Sequence, residues 1–135
     1  MRTIVTLLCG LLLLSACSRK INFNTSTVVP AATGKVKMKK DKNNNYQVDA
    51  EFRNLADPKN LQIPRQVYVL WMETDGKGAQ NLGKVVPRSG IFSSAIKAEL
   101  ETVTSIRPTR FFITAEDDGT VQYPGSQLIL QTNSF

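Results

Sequence analysis

Histidine is missing from the chain altogether, and with it the usual neutral-pH general base and the commonest transition-metal ligand. Cysteine occurs only at Cys9 and Cys17, and tryptophan only at Trp71. No apolar run is long enough to cross a bilayer comfortably; the longest, Ile4–Leu14, has eleven residues and is broken by Thr6 and Gly10. There is no internal repeat and no low-complexity block. Ser93 and Ser94 have no histidine partner and no flanking nucleophile-elbow glycines, and no diagnostic motif supports serine–lysine catalysis. Asp117-Asp118-Gly119 lacks the spaced ligands of a calcium loop. Glu99 and Glu101 would share a face on a strand, but such a pair reads first as solvated surface. The chain is therefore not expected to be an enzyme, and no cofactor or metal site is expected.

What is present begins at the N-terminus. Met1-Arg2 supplies a short positive region, Ile4–Leu14 an apolar core, and Leu14-Ser15-Ala16-Cys17 a large apolar residue, two small residues and a cysteine. This order resembles the lipobox signal peptide of bacterial lipoproteins. The resemblance implies cleavage after residue 16, acylation of Cys17 and attachment of the mature protein to a membrane through that lipid. Palmitate-type chains hold by about 0.8 kcal/mol per buried methylene, so two or three make a stable anchor. The alternative is an ordinary cleaved signal that leaves Cys17 a free thiol. With Cys9 removed and Cys17 lipidated, neither a disulfide nor a His/Cys zinc site is available.

Loss of residues 1–16 removes Arg2 and lowers the formal charge from +6 to +5. For an exported protein this charge points away from nucleic acid and toward solubility or the anionic membrane. Ser18 after Cys17 resembles an outer-membrane retention context, whereas Arg19-Lys20 does not look like an acidic surface-export signal. The expected location is the cell envelope, anchored to the outer membrane and facing the periplasm.

Residues 17–32 read as the lipidated N-terminus and a short tether: Ser18–Pro30 is polar and small, with Thr27–Val29 as an edge strand stopped by Pro30. Residues 33–135 read as one β domain. Thr33–Lys40 alternates with period two, Val36 and Met38 inward and Lys35, Lys37 and Lys39 outward. That lysine row suits either a basic strip for an acidic partner or lipid, or a guard that keeps a sheet edge from pairing with other molecules. Asp41–Asn45 is a turn, and Tyr46–Leu55 runs back with Tyr46, Val48, Ala50 and Phe52 on one face. Asp49 and Glu51 are then expected opposite Lys37 and Lys39. Ala56–Pro64 carries two prolines and is a loop crossing between sheets.

Gln66–Thr74 is the most strand-like stretch. Val67, Val69 and Trp71 point one way and Tyr68, Leu70 and Met72 the other, so a central strand covered on both faces is expected. Asp75-Gly76-Lys77-Gly78 is the strongest hairpin turn. Gln80–Val86 returns as a strand ended by Pro87-Arg88-Ser89-Gly90. Gly90–Leu100 fits either a helix, with Phe92, Ile96 and Leu100 on one face, or a strand. Thr109–Glu116 is the second strong strand, Asp117-Asp118-Gly119 its turn, and Ser126–Thr132 the last strand. Seven to eight short antiparallel strands with regular turn signals predict an all-β fold, an immunoglobulin-like sandwich of two sheets.

Val69-Leu70-Trp71, Asp75-Gly76 and Asn81-Leu82-Gly83, followed by Phe112-Ile113-Thr114-Ala115-Glu116-Asp117-Asp118-Gly119 and Tyr123-Pro124-Gly125, resemble the C-terminal domain of anti-sigma-K-type regulators over about residues 65–132. The resemblance implies an exported immunoglobulin-like sandwich. It does not extend to sigma-factor binding, which resides in a separate cytosolic segment of those regulators.

Candidate site residues are Cys17 for lipidation, and Trp71, Tyr123, Lys35, Lys37 and Lys39 for binding. Trp71 suits a sandwich core at least as well as a ligand site. The expected function is a lipid-anchored, non-catalytic binding or assembly module with an envelope protein partner. The alternatives are a lipoprotein that binds a small ligand or glycan near Trp71 or Tyr123, and an envelope signalling protein related to anti-sigma factors.

Overall fold

The structure, a computed structural model, describes residues 17–88 and 97–135. Residues 1–16, expected to be a signal segment, lie outside the described residues, as do Phe92, Ser93, Ser94 and Ile96.

The described residues form eight strands in chain order: β1 (Ser18–Asn22), β2 (Thr33–Lys40), β3 (Tyr46–Arg53), β4 (Val67–Thr74), β5 (Gly78–Arg88), β6 (Lys97–Thr104), β7 (Arg110–Glu116) and β8 (Leu128–Gln131). A single 3₁₀ turn, Pro58–Asn60, interrupts the loop before β4; Asp57 caps it by accepting from the Lys59 N–H. The expected all-β class holds. Every neighbouring pair is antiparallel, and all eight strands belong to one sheet in the order β1-β2-β3-β6-β5-β4-β7-β8.

The sequence suggested two sheets; the long strand β5 makes them one. Its first part pairs with β4 and its end, Val86–Arg88, pairs with β6. Between them Leu70 faces Gly83 and Trp71 faces Asn81, so Leu82 is an extra residue, a bulge. Gly83 sits there at φ 137°, a backbone angle that side chains resist. A bulge bends its strand and sharpens the local twist, which lets β5 leave one half of the sheet and enter the other. Pro87, expected to end the strand, lies within it opposite Ala98. Lys97–Leu100, of the ambiguous Gly90–Leu100 stretch, is strand.

The sheet curls until its edges approach. The Asn24 N–H donates to the Gln131 carbonyl at 2.8 Å, and the Asn24 amide reaches Asn133 Oδ1 at 2.9 Å. One core fills the interior: Val36, Val48 and Phe52 from β2 and β3, Tyr68 and Leu70 from β4, Phe111 and Ile113 from β7. As expected, β4 is buried on both faces. Val69 and Trp71 form a second, smaller cluster with Phe112 on the outside of the sheet, against Val67, Ala79 and Val121.

Two expectations fail at the N-terminal side. Ser18–Asn22, read as tether, is the edge strand β1, and Thr27–Val29, read as a strand, is a turn whose Val28 and Val29 N–H groups donate to Ser26 Oγ. The sequence of β1 has a single apolar residue, Ile21, in register with Val36; the next, Phe23, packs edge-on to Phe52 at 5.1 Å. That is little hydrophobic signal to read locally, but enough to hold a short strand against a formed sheet. The hairpin register also differs from expectation. Lys37 faces Asp49, but Glu51 faces Lys35 and Lys39 faces Gln47. The Asp41 carboxylate accepts from the N–H groups of Asn43 and Asn45, and Asn44 takes φ 62°, which fixes the turn and the register after it.

Candidate functional site

Alternation on β1, β2, β3 and β6 sends one set of side chains to the core and the other to a common outer face. Across that face run two rows in register: Lys20, Lys37, Asp49 and Glu101; and Asn22, Lys35, Glu51 and Glu99. The face is thus basic on β1 and β2, while β3 and β6 carry these four carboxylates with Arg53 and Lys97 on the same side, an acidic excess. Glu51 is the hub of its ion pairs, 3.2 Å from Arg53 and 3.9 Å from Lys35, while Glu99 pairs with Lys97 at 2.7 Å. Glu99 and Glu101 share a face, as the alternation predicts. Their placement opposite Glu51 and Asp49 depends on the order of strands and is invisible in the sequence. Val103, on the same face of β6, and Val86 of β5 are half exposed or more.

The lysines do not guard an edge. β2 is hydrogen-bonded to β1 on one side and β3 on the other, so Lys35, Lys37 and Lys39 project from the face of the sheet. The edge strand is β1, and it carries its own cations, Arg19 and Lys20. The Arg19 guanidinium lies 5.0 Å from the ring of Phe135. Cys17 is exposed and directly precedes β1.

Trp71 is fully buried and offers no surface to a ligand. It belongs instead to a chain of hydrogen bonds. Its indole Nε1–H donates to Thr114 Oγ1 at 2.8 Å, the Thr114 hydroxyl donates to Glu116 Oε1 at 2.6 Å, and the Gly125 N–H donates to the same oxygen at 2.6 Å. Thr114 and Glu116 are both buried. Spacing by two on β7 puts Phe112, Thr114 and Glu116 on one face, and the register sets Phe112 against Trp71 with rings 6.2 Å apart and nearly parallel. Residues 117–127 cross over this face. Asn81 fastens them by donating to the carbonyls of Gly119 and Val121, and Asp118 caps their turn through Thr120, whose N–H and hydroxyl hold its carboxyl below the usual range. Tyr123 stands out from this segment, 84% exposed. The sequence offered Trp71 and Tyr123 as alternative binding positions; Trp71 is core and Tyr123 is surface, and the sequence reading gave no role to Glu116 as the acceptor that joins Thr114 to Gly125.

A cleft of about 420 Å³ opens beside β4 and β5, where Leu55, Pro58, Val67 and Val85 form apolar walls and Asp57, Lys59 and Lys84 stand among the lining residues. Below it the Tyr68 hydroxyl donates to the Ala56 carbonyl at 2.7 Å. Burial, reinforced by the charge of Asp57, pushes Tyr68 up to about 12. An unfolded tyrosine ionises near pH 10, so below that pH both states are protonated and Tyr68 contributes its full stability. Between pH 10 and about 12 the unfolded state loses its proton first, and about 2–3 kcal/mol of stability is lost. Denaturant titrations across this window should show Tyr68→Phe falling less steeply than wild type; parallel curves would contradict the assignment.

No group of three or more His, Cys, Asp or Glu placed to hold a metal ion occurs among the described residues, nor a helix long and apolar enough to cross a membrane. The chain matches no protein family model, no curated protein and no solved structure.

Proposed function

We propose that the protein is a lipid-anchored component of the bacterial cell envelope, moored through Cys17 and acting as a non-catalytic binding or assembly module for an envelope protein. The observation that carries this reading is the exposed Cys17 at the head of the edge strand, behind a lipobox-like segment. The outer sheet face, with its excess of cations on β1 and β2 and of carboxylates on β3 and β6, supplies a charged docking surface for a partner. The placement at the outer membrane, facing the periplasm, rests on Ser18 and on the basic residues that follow it. Cells fed an alkyne-tagged palmitate analogue are expected to label the wild-type chain and leave Cys17→Ser unlabelled. A wild-type chain recovered unlabelled from the soluble fraction would overturn the anchor. Crosslinking in intact membranes is expected to capture one protein partner reproducibly, and recovery of lipid alone would overturn the binding role.

The cleft beside β4 and β5 favours a second reading, a lipoprotein that binds a small amphipathic ligand. The exposed Tyr123 offers the stacking surface that a glycan-binding variant of that reading needs. A relation to anti-sigma-K regulators draws support from the convergence of Trp71, Thr114, Glu116 and Gly125, which belong to the motifs that carry the resemblance.

A further inference from the structure

We infer that Lys35, Lys37 and Lys39 of β2, with Lys20 of β1, form a docking strip that lays this end of the sheet face against the anionic headgroups of a phospholipid bilayer. The inference rests on the membrane-anchor reading above, but separate observations support it. Lysines on an edge strand need no further explanation, since they prevent unwanted pairing. Lys35, Lys37 and Lys39 are on an interior strand, which removes that explanation for them; Lys20 alone is on the edge strand.

The strip is two strands wide, because Lys20 is in register with Lys37. Along β2 the lysines recur at every second residue, about 6.6 Å apart at the ordinary strand rise. Their charge is poorly neutralised from within. Lys35 lies 3.9 Å from Glu51, and no ion pair is formed by Lys20, Lys37 or Lys39 among the described residues. On the same face the next two strands present Asp49, Glu51, Glu99 and Glu101 with Arg53 and Lys97, four carboxylates against two cations, and so remain acidic on balance. An anionic surface is attracted to one end of this face and repelled from the other, so the charge division selects an orientation as well as an affinity.

The position of the chain entry agrees. Ser18 faces Lys39 across the β1–β2 pair, and Cys17 comes one residue earlier. Whatever ties the N-terminus to a membrane, a fatty acid on Cys17 or the apolar run Ile4–Leu14, delivers the bilayer to the basic end of the face. Cys17 directly precedes β1, and only three residues separate Leu14 from it in sequence. A single weak anchor combined with a basic patch is a general route to stable membrane residence.

The test uses the full chain as isolated from cells, sedimented with vesicles of phosphatidylcholine alone or of phosphatidylcholine with phosphatidylglycerol. Partitioning onto the anionic vesicles is expected to exceed that onto neutral ones at low salt. The excess should vanish at about 1 M salt, where charges are screened beyond about 3 Å. Removing two basic contacts should lower the anionic partition roughly 25-fold, at about fivefold per residue. Lys37→Glu/Lys39→Glu is therefore expected to reduce it to the neutral level or below. Lys77→Glu, in the β4–β5 turn, makes a single charge reversal away from the strip and should change it less than twofold. Both positions of the double variant are exposed, so its far-ultraviolet spectrum should match wild type. Equal partitioning onto the two vesicles overturns the inference. So does an effect of Lys77→Glu as large as that of the pair. Failure of acylation reads differently: binding to neutral vesicles disappears while the anionic excess remains.

Discussion

Trp71→Ala is expected to lower the free energy of unfolding by about 3–5 kcal/mol, the usual cost of deleting a large buried aromatic. Trp71 has no exposed surface, packs in register against Phe112, and donates to Thr114. A domain of this kind has about 5–15 kcal/mol in total, so the loss would take a large share of it. The site has little scope to collapse, because Trp71 lies between the sheet and the segment that crosses over it. Trp71→Phe keeps most of the volume and loses mainly the indole hydrogen bond, for about 1 kcal/mol. Urea melts followed by circular dichroism would check both; the midpoint should fall at nearly constant slope. If the alanine variant costs under about 1 kcal/mol, Trp71 is not packed as the structure has it.

Glu116→Ala should cost about 2–4 kcal/mol, because it strands two donors at once, the Thr114 hydroxyl and the Gly125 N–H. The expected loss is local as well as global. Residues 117–127 should loosen from the outer face, and the fluorescence of Trp71, the only tryptophan, should shift to the red. Glu116→Gln retains an acceptor oxygen and should cost much less. Gly125→Ala attacks the same junction from the other side, since its new methyl group would stand 2.8 Å from Glu116 Oε2. Combined with Glu116→Ala it should add little, because the two share one contact. Full additivity in the double variant would show that the carboxylate and the glycine act separately.

The extent to which the fold was legible follows the strength of local pattern. β4 could be read because six successive apolar side chains leave a strand no exposed face. β2 and β3 could be read because alternation and a turn rich in Asp and Asn agree. The tether was misread because β1 is mostly polar and basic, and its reason for being a strand is a neighbour reached through a later turn. The curl was missed because Leu82-Gly83 looks like any strand residues until a partner fixes the count across the bulge. Lysines at alternate positions announce an exposed face but not whether the strand bearing them is interior. Trp71 stood out in the sequence, and Thr114, Glu116 and Gly125 lay within the motifs of the resemblance; the hydrogen bonds between them depend on register, which no single stretch specifies.

The strand β5 has a consequence for how the molecule comes apart. Because one unbroken stretch of backbone supplies ladder partners to both β4 and β6, neither half of the sheet can melt without stripping hydrogen bonds from the other. Amide exchange in Tyr68–Met72 and in Ala50–Phe52 should therefore report the same opening event, and a fragment ending before β5 should not hold a native structure of its own.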